Sequence, residues 1–143
     1  MSVKINYLKK TFSKSSTNLI LFSNDKFSTN FIKKDLSNSE FSYINDLLKT
    51  ADIKKNLFVF EVNSKKKIIL ISINNNLKTS DIENLGAEFY NLVNHGKNCD
   101  YNLVSDSVVG NYENFIGYFL HGTKLKSYEF KKYSLFFPFF KRP

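Results

Sequence analysis

Ile68-Ile69-Leu70-Ile71 is an unbroken apolar run inside Lys67–Ile73 (KIILISI). A strand with one face in water alternates apolar and polar residues; a strand without alternation has both faces covered. Just upstream, Leu57–Val62 (LFVFEV) is equally rich in β-branched and aromatic residues, and Asn63-Ser64-Lys65-Lys66 between the two reads as a hairpin connection. Lys65, Lys66 and Lys67 then fall at the turn, where exposed lysines are expected. A hairpin with one strand buried on both sides needs other elements to cover it, which points to an α/β layer structure.

The remaining segments supply candidate cover. Ser39 is expected to cap a helix over 39–49, with Phe41, Ile44, Leu47 and Leu48 recurring at helical spacing. Ser80-Asp81-Ile82-Glu83 fits a capping box and opens a second helix with Ile82, Leu85, Phe89, Leu92 and Val93 on one stripe; Gly96 after His95 suits its left-handed stop. Asn111 is read as the start of a third, with Phe115, Ile116, Phe119 and Leu120 inward. Asn18–Ser23 and Tyr101–Ser105 read as strands, Val3–Leu8 as a weakly alternating one, and the Ser-rich stretch 9–17 as a loop. No internal repeat is present.

At 143 residues the chain has the length of one domain and needs no disulfide or metal to build a core. Its one cysteine, Cys99, excludes an intramolecular disulfide framework. Its longest apolar runs are too short for a membrane helix or a signal segment, so a cytoplasmic protein is expected. The net charge of +8 comes from 20 Lys and a single Arg, Arg142. Lysines are hydrated point charges without the bidentate fork of arginine, and together with 18 Asn and 15 Phe they match an AT-rich coding bias. Ordinary solvated surface therefore explains the excess better than a nucleic-acid site does. Positive charge gathers in residues 1–78 (+8) and 124–143 (+5), whereas 79–123 carries −5.

Chemistry is sparse. All five glycines lie at or after Gly86, so no Gly-rich phosphate loop follows an early strand. His95 and Cys99 are separated by Gly96, and His121 stands alone beside Gly122; each histidine is read as a helix-terminus residue rather than a zinc ligand. Cys99 is read as a small residue rather than a nucleophile. Glu83 is assigned to the capping box, and nothing sets Glu88, Asp100 or Asp106 across a cleft. No catalytic, cofactor-binding or metal residue is assigned.

The most distinctive segment is Gly122–Tyr133 (GTKLKSYEFKKY), a glycine followed by Ser127-Tyr128, Phe130 and Tyr133. Together with Leu85-Gly86-Ala87 on the preceding helix, it resembles the end of the N-terminal domain of the leucyl (cytosol) aminopeptidase family. There a helix carrying leucine, glycine and alanine precedes a strand, and a later helix runs through a glycine into a Ser-Tyr-x-Phe-x-x-Tyr stretch. The helix 39–49 and the hairpin Leu57–Ile73 fall in the matching order, and the likeness spans residues 57–133. It implies a macro-domain-like, three-layer α/β sandwich with a mixed central sheet flanked by helices. In the full enzymes two divalent metals sit in a larger C-terminal domain, while the N-terminal domain contributes to hexamer assembly and to access to the active sites. Some members also bind DNA.

After Tyr133 the chain departs from that family: Ser134–Pro143 (SLFFPFFKRP) stands where a Lys/Thr-rich link is usual. Residues 1–133 are thus expected to form the aminopeptidase-like domain and 134–143 a divergent apolar tail, a strand or plug, left by a truncated or frame-shifted gene. The resemblance implies a non-enzymatic domain with a structural or assembly role, no cofactor, and self-association or docking with an aminopeptidase as its partner interactions. The alternatives are a basic nucleic-acid-binding module and, more remotely, an ADP-ribose-binding macro-like domain.

Overall fold

The structure, a computed structural model, describes residues 18–30, 32–52, 54–74, 76–94, 100–108 and 114–140, with side chains left undescribed at 106 and 129–140. The fold is α/β, with a four-stranded mixed sheet and three helices in the order β1 (Asn18–Asn24), α1 (Asn38–Thr50), β2 (Leu57–Asn63), β3 (Lys66–Ile73), α2 (Thr79–Val93), β4 (Tyr101–Leu103) and α3 (Phe115–Phe140). It divides into two compact units, the sheet with α1 and the pair of helices α2 and α3. The expected strands at Val3–Leu8 and the Gly96 stop lie outside the described residues.

The sheet runs β2-β3-β1-β4. β1 and β3 pair in parallel with Leu19 opposite Ile68 and Leu21 opposite Leu70, and β2 joins β3 antiparallel with Phe60 opposite Ile68. Every residue of β3 except Lys67 is buried, as an inner strand with an unalternating sequence requires. On one face Leu19, Leu21, Phe60, Ile68, Leu70 and Val104 form a core with Ile44 of α1 and with Phe27, Ile32 and Leu36 of the β1–α1 connection. Phe41 and Leu48 pack against this core, but Leu47 is exposed, so the inward stripe of α1 is narrower than its spacing suggests.

Side chains complete the sheet where backbone pairing runs out. Asn18 Oδ1 accepts from the Lys67 amide at 2.8 Å while its Nδ2 donates to the Asp100 carbonyl at 3.2 Å, joining β1 to both neighbours. β4 is only three residues long, shorter than the expected Tyr101–Ser105, because Ser105–Ser107 turns into a 3₁₀ helix. Ser107 Oγ then takes the place of a strand carbonyl, accepting from the Phe22 amide at 3.0 Å.

Corrections to the helix ends have simple electrostatic reasons. α1 is capped by Ser37, not Ser39: Ser37 Oγ accepts from the Glu40 amide at 3.2 Å and Glu40 Oε1 accepts from the Ser37 amide at 3.0 Å. α2 begins at Thr79, and Asp81 rather than Glu83 reaches back, accepting from the Lys78 amide at 2.9 Å. Ser80 is already inside the helix. Of its expected stripe Ile82, Leu85 and Phe89 are buried and Leu92 is exposed. The largest difference is at the C-terminus: residues 134–140 of the expected strand or plug continue the same helix as Gly122–Tyr133, since α3 runs from Phe115 past Pro138 to Phe140, and 141–143 lie outside the described residues.

Helices α2 and α3 run antiparallel and approach to backbone contact. A methyl group on Gly86 would collide with the Phe119 carbonyl, and one on Gly122 with the Glu83 carbonyl. Thr123 Oγ1 lies 3.1 Å from the Gly86 carbonyl and 3.0 Å from that of Phe119, so one hydroxyl serves the crossing and its own helix. Beside it Phe89 packs on Phe119 with ring centroids 5.7 Å apart. Helix propensity alone would make Gly86→Ala or Gly122→Ala stabilising by about 1 kcal/mol. Because the colliding groups are backbone, which cannot step aside as a side chain does, overpacking wins. Each substitution is expected to destabilise the chain by about 2 kcal/mol or more, read from the midpoint of urea unfolding.

Candidate functional site

Two ionisable pairs stand out among the described residues. The first lies inside the sheet unit. Lys66 shares a parity with Ile68 and Leu70, so its side chain enters the same core face, where it is 2% exposed. Its Nζ lies 2.7 Å from Glu40 Oε2. The reading of Lys66 as an exposed turn lysine is therefore wrong; of the three only Lys65 is exposed, and Lys67 is partly covered. The turn itself is only Ser64-Lys65, held by the Asn63 side chain accepting from the Lys65 amide at 2.8 Å, so Lys66 is already in the strand.

Glu40 is thereby engaged twice, Oε1 at the α1 cap and Oε2 on Lys66. Burial pushes its carboxyl up, but the hydrogen bond from Lys66, the hydrogen bonds with Ser37 and the Lys66 charge outweigh that, leaving it below its ordinary value of 4.5. A carboxylate held ionised by a cap and a buried ammonium is a fixed charge rather than a proton donor. An amine so enclosed cannot serve as a nucleophile or a phosphate ligand without leaving its partner. The pair fastens the N-terminus of α1 to the start of β3.

The second pair lies between α2 and α3, where His121 Nδ1 meets Glu83 Oε2. His121 is not at a helix end, as its neighbouring glycine suggested, because Gly122 is a crossing residue and α3 continues through it. The imidazole is 57% exposed and Glu83 29%. Thr123 is turned away into the crossing, its hydroxyl committed to backbone carbonyls. Glu88 is exposed five residues beyond Glu83, about 140° round the helix and off its face. Asp100 is exposed just before β4, and Asp106 lies in the 3₁₀ turn. His95 and Cys99 are outside the described residues. No cluster of three or more His, Cys, Asp or Glu capable of holding a metal occurs among the described residues, and none of the described helices is long and apolar enough to cross a membrane.

Neither protein-family models, nor curated proteins, nor solved structures contain a match to this chain.

The Lys66–Glu40 pair generates a pH signature. Because the Glu40 pKa is lowered on folding, its stabilisation is complete above the unfolded value and is lost as pH falls through the folded one. Glu40→Gln keeps an oxygen for the Ser37 amide but strands a buried ammonium, so it is expected to cost about 3 kcal/mol at pH 7. The difference from the parent chain should shrink as the pH of the unfolding measurement is lowered below about 4.5. Replacing both partners, Glu40→Gln with Lys66→Met, should recover much of the loss.

Proposed function

We propose that this chain is a non-catalytic α/β domain, similar to the N-terminal domain of the leucyl aminopeptidases, with a structural or assembly role. The observation that carries this reading is the meeting of its two motif segments. Leu85-Gly86-Ala87 lies on α2, and α3 runs through Gly122 into Ser127-Tyr128; the two helices cross at Gly86 and Gly122 themselves. Residues separated by more than a strand and a 3₁₀ turn in sequence thus form one contact, which gives the resemblance a physical content beyond letter matching.

The order of elements supports the same reading: a helix, an antiparallel hairpin, the Leu-Gly-Ala helix, a short strand, and the helix with the second glycine. The ionisable groups also fit a scaffold. Lys66 and Glu40 are spent on fastening a helix to the sheet, and Glu83 with His121 joins α2 to α3. In this role the domain contributes surfaces and rigidity, and hydrolysis belongs to another polypeptide region.

Incubating the purified chain with leucine amide and added manganese or zinc is expected to release no ammonia beyond the metal-only control. Turnover proportional to chain concentration, abolished by a chelator, would overturn the proposal.

A further inference from the structure

Glu83 does more to His121 than fasten two helices. A carboxylate oxygen has no proton to give, so in the neutral imidazole the Nδ1 that meets Glu83 Oε2 carries the hydrogen. The ring's lone pair is thereby assigned to Nε2, the nitrogen that Glu83 does not engage. The His121 ring is 57% exposed, so it can be reached from solvent. Its orientation is fixed by the fold around it. Gly122, the next residue, lies against the Glu83 backbone, and both partners sit on packed helices rather than on loops.

The neighbours narrow what such a lone pair can take. A bound metal needs several converging ligands, and no group of three His, Cys, Asp or Glu is placed to supply them among the described residues. A covalent bond to an electrophile needs only one nitrogen. Lys124 is exposed one turn further along α3, on the same face as His121, and brings positive charge suited to an anionic electrophile. A lysine ammonium is a common point-charge ligand of phosphate. The hydroxyls nearby are otherwise occupied: Thr123 Oγ1 bonds to the Gly86 and Phe119 carbonyls and Ser127 Oγ to the Lys124 carbonyl. Lys66, the buried amine of the sheet unit, is held by Glu40.

We propose that His121 is a phosphoryl acceptor whose Nε2 takes a phosphoryl group from a small acyl phosphate, with Glu83 as positioning residue and Lys124 as phosphate ligand. The Nε2 lone pair forms the N–P bond while the P–O bond to the acyl oxygen breaks, and the carboxylate leaves with that electron pair. No proton has to move. The Nδ1 hydrogen stays between the ring and Glu83, whose negative charge offsets the positive charge the ring acquires. The product carries a doubly charged phosphoryl group on the exposed side of α3, beside Lys124. This modifies the chain's own side chain and turns over no peptide, so it stands or falls separately from the structural role proposed above.

The test is incubation of the purified full chain with acetyl phosphate, the sites then being mapped by mass spectrometry at neutral pH because an N–P bond is acid-labile. Phosphoryl on His121 is expected, formed faster in the folded chain than in urea, where Glu83 and His121 part. Phosphorus–proton NMR of the product should place the group on Nε2. Glu83→Gln keeps an accepting oxygen without the charge and should slow labelling by roughly tenfold, the worth of one charge-assisted hydrogen bond. Glu83→Ala should also spread the label over Nδ1 and Nε2, a change of regiochemistry that a loss of helix packing alone would not produce in a chain still folded by circular dichroism. His121→Gln should remove the label. No phosphoryl on His121, labelling no faster in the folded chain than in urea, or Glu83 variants that match the parent in both rate and labelled nitrogen would each overturn the proposal.

Discussion

The parallel pairing of β1 with β3 is the constraint on which the sheet unit depends. Six consecutive residues of each strand are in register, from Leu19 opposite Ile68 to Asn24 opposite Ile73, and all but the last two pairs are apolar on both sides. Parallel strands cannot be joined by a tight turn. The chain between them must therefore leave the sheet and return, and here it does so through α1 and then β2, which adds to the far side of β3 as a hairpin. β4 pairs in parallel with the other edge of β1. Its brief ladder is extended by Ser107, whose hydroxyl accepts the Phe22 amide that a longer strand would have satisfied.

Such a sheet positions charge as firmly as it positions hydrocarbon. The parity that sends Ile68 and Leu70 into the core sends Lys66 there too, and a buried ammonium is tolerable only beside a compensating anion. Glu40 supplies it at 2.7 Å. Because the same carboxylate closes the capping box of α1, the helix start and the strand start are specified together. The loop after β1 shows a related economy: Phe27 adopts a positive φ of 54°, unfavourable for a bulky residue, while its ring is buried edge-on to Phe58 with centroids 4.9 Å apart.

In the helical unit the decisive feature is the absence of side chains. Gly86 and Gly122 let the α2 and α3 backbones touch, which brings Glu83 to His121 and aligns Phe89 with Phe119. The two units therefore use opposite devices, a buried charge pair in one and missing β-carbons in the other.

Periodicity and residue type alone determined the strands β1, β2 and β3, the three helices and the α/β class, because burial on one or both faces imposes a spacing that a local window of sequence displays. They also singled out both glycines that matter, Gly86 and Gly122, though as motif letters rather than as a crossing. Only the tertiary structure decided that Lys66 is inside, that Glu83 belongs to His121 rather than to a helix cap, and that 122–140 continues a helix. Each of these depends on a partner distant along the chain: α1 for Lys66, α3 for Glu83, and for the long helix α2 packed against its first half. A lysine triplet at a turn looks the same whether or not its second member is already in the strand. What distinguishes the cases is a carboxylate 26 residues away, brought to it by the fold.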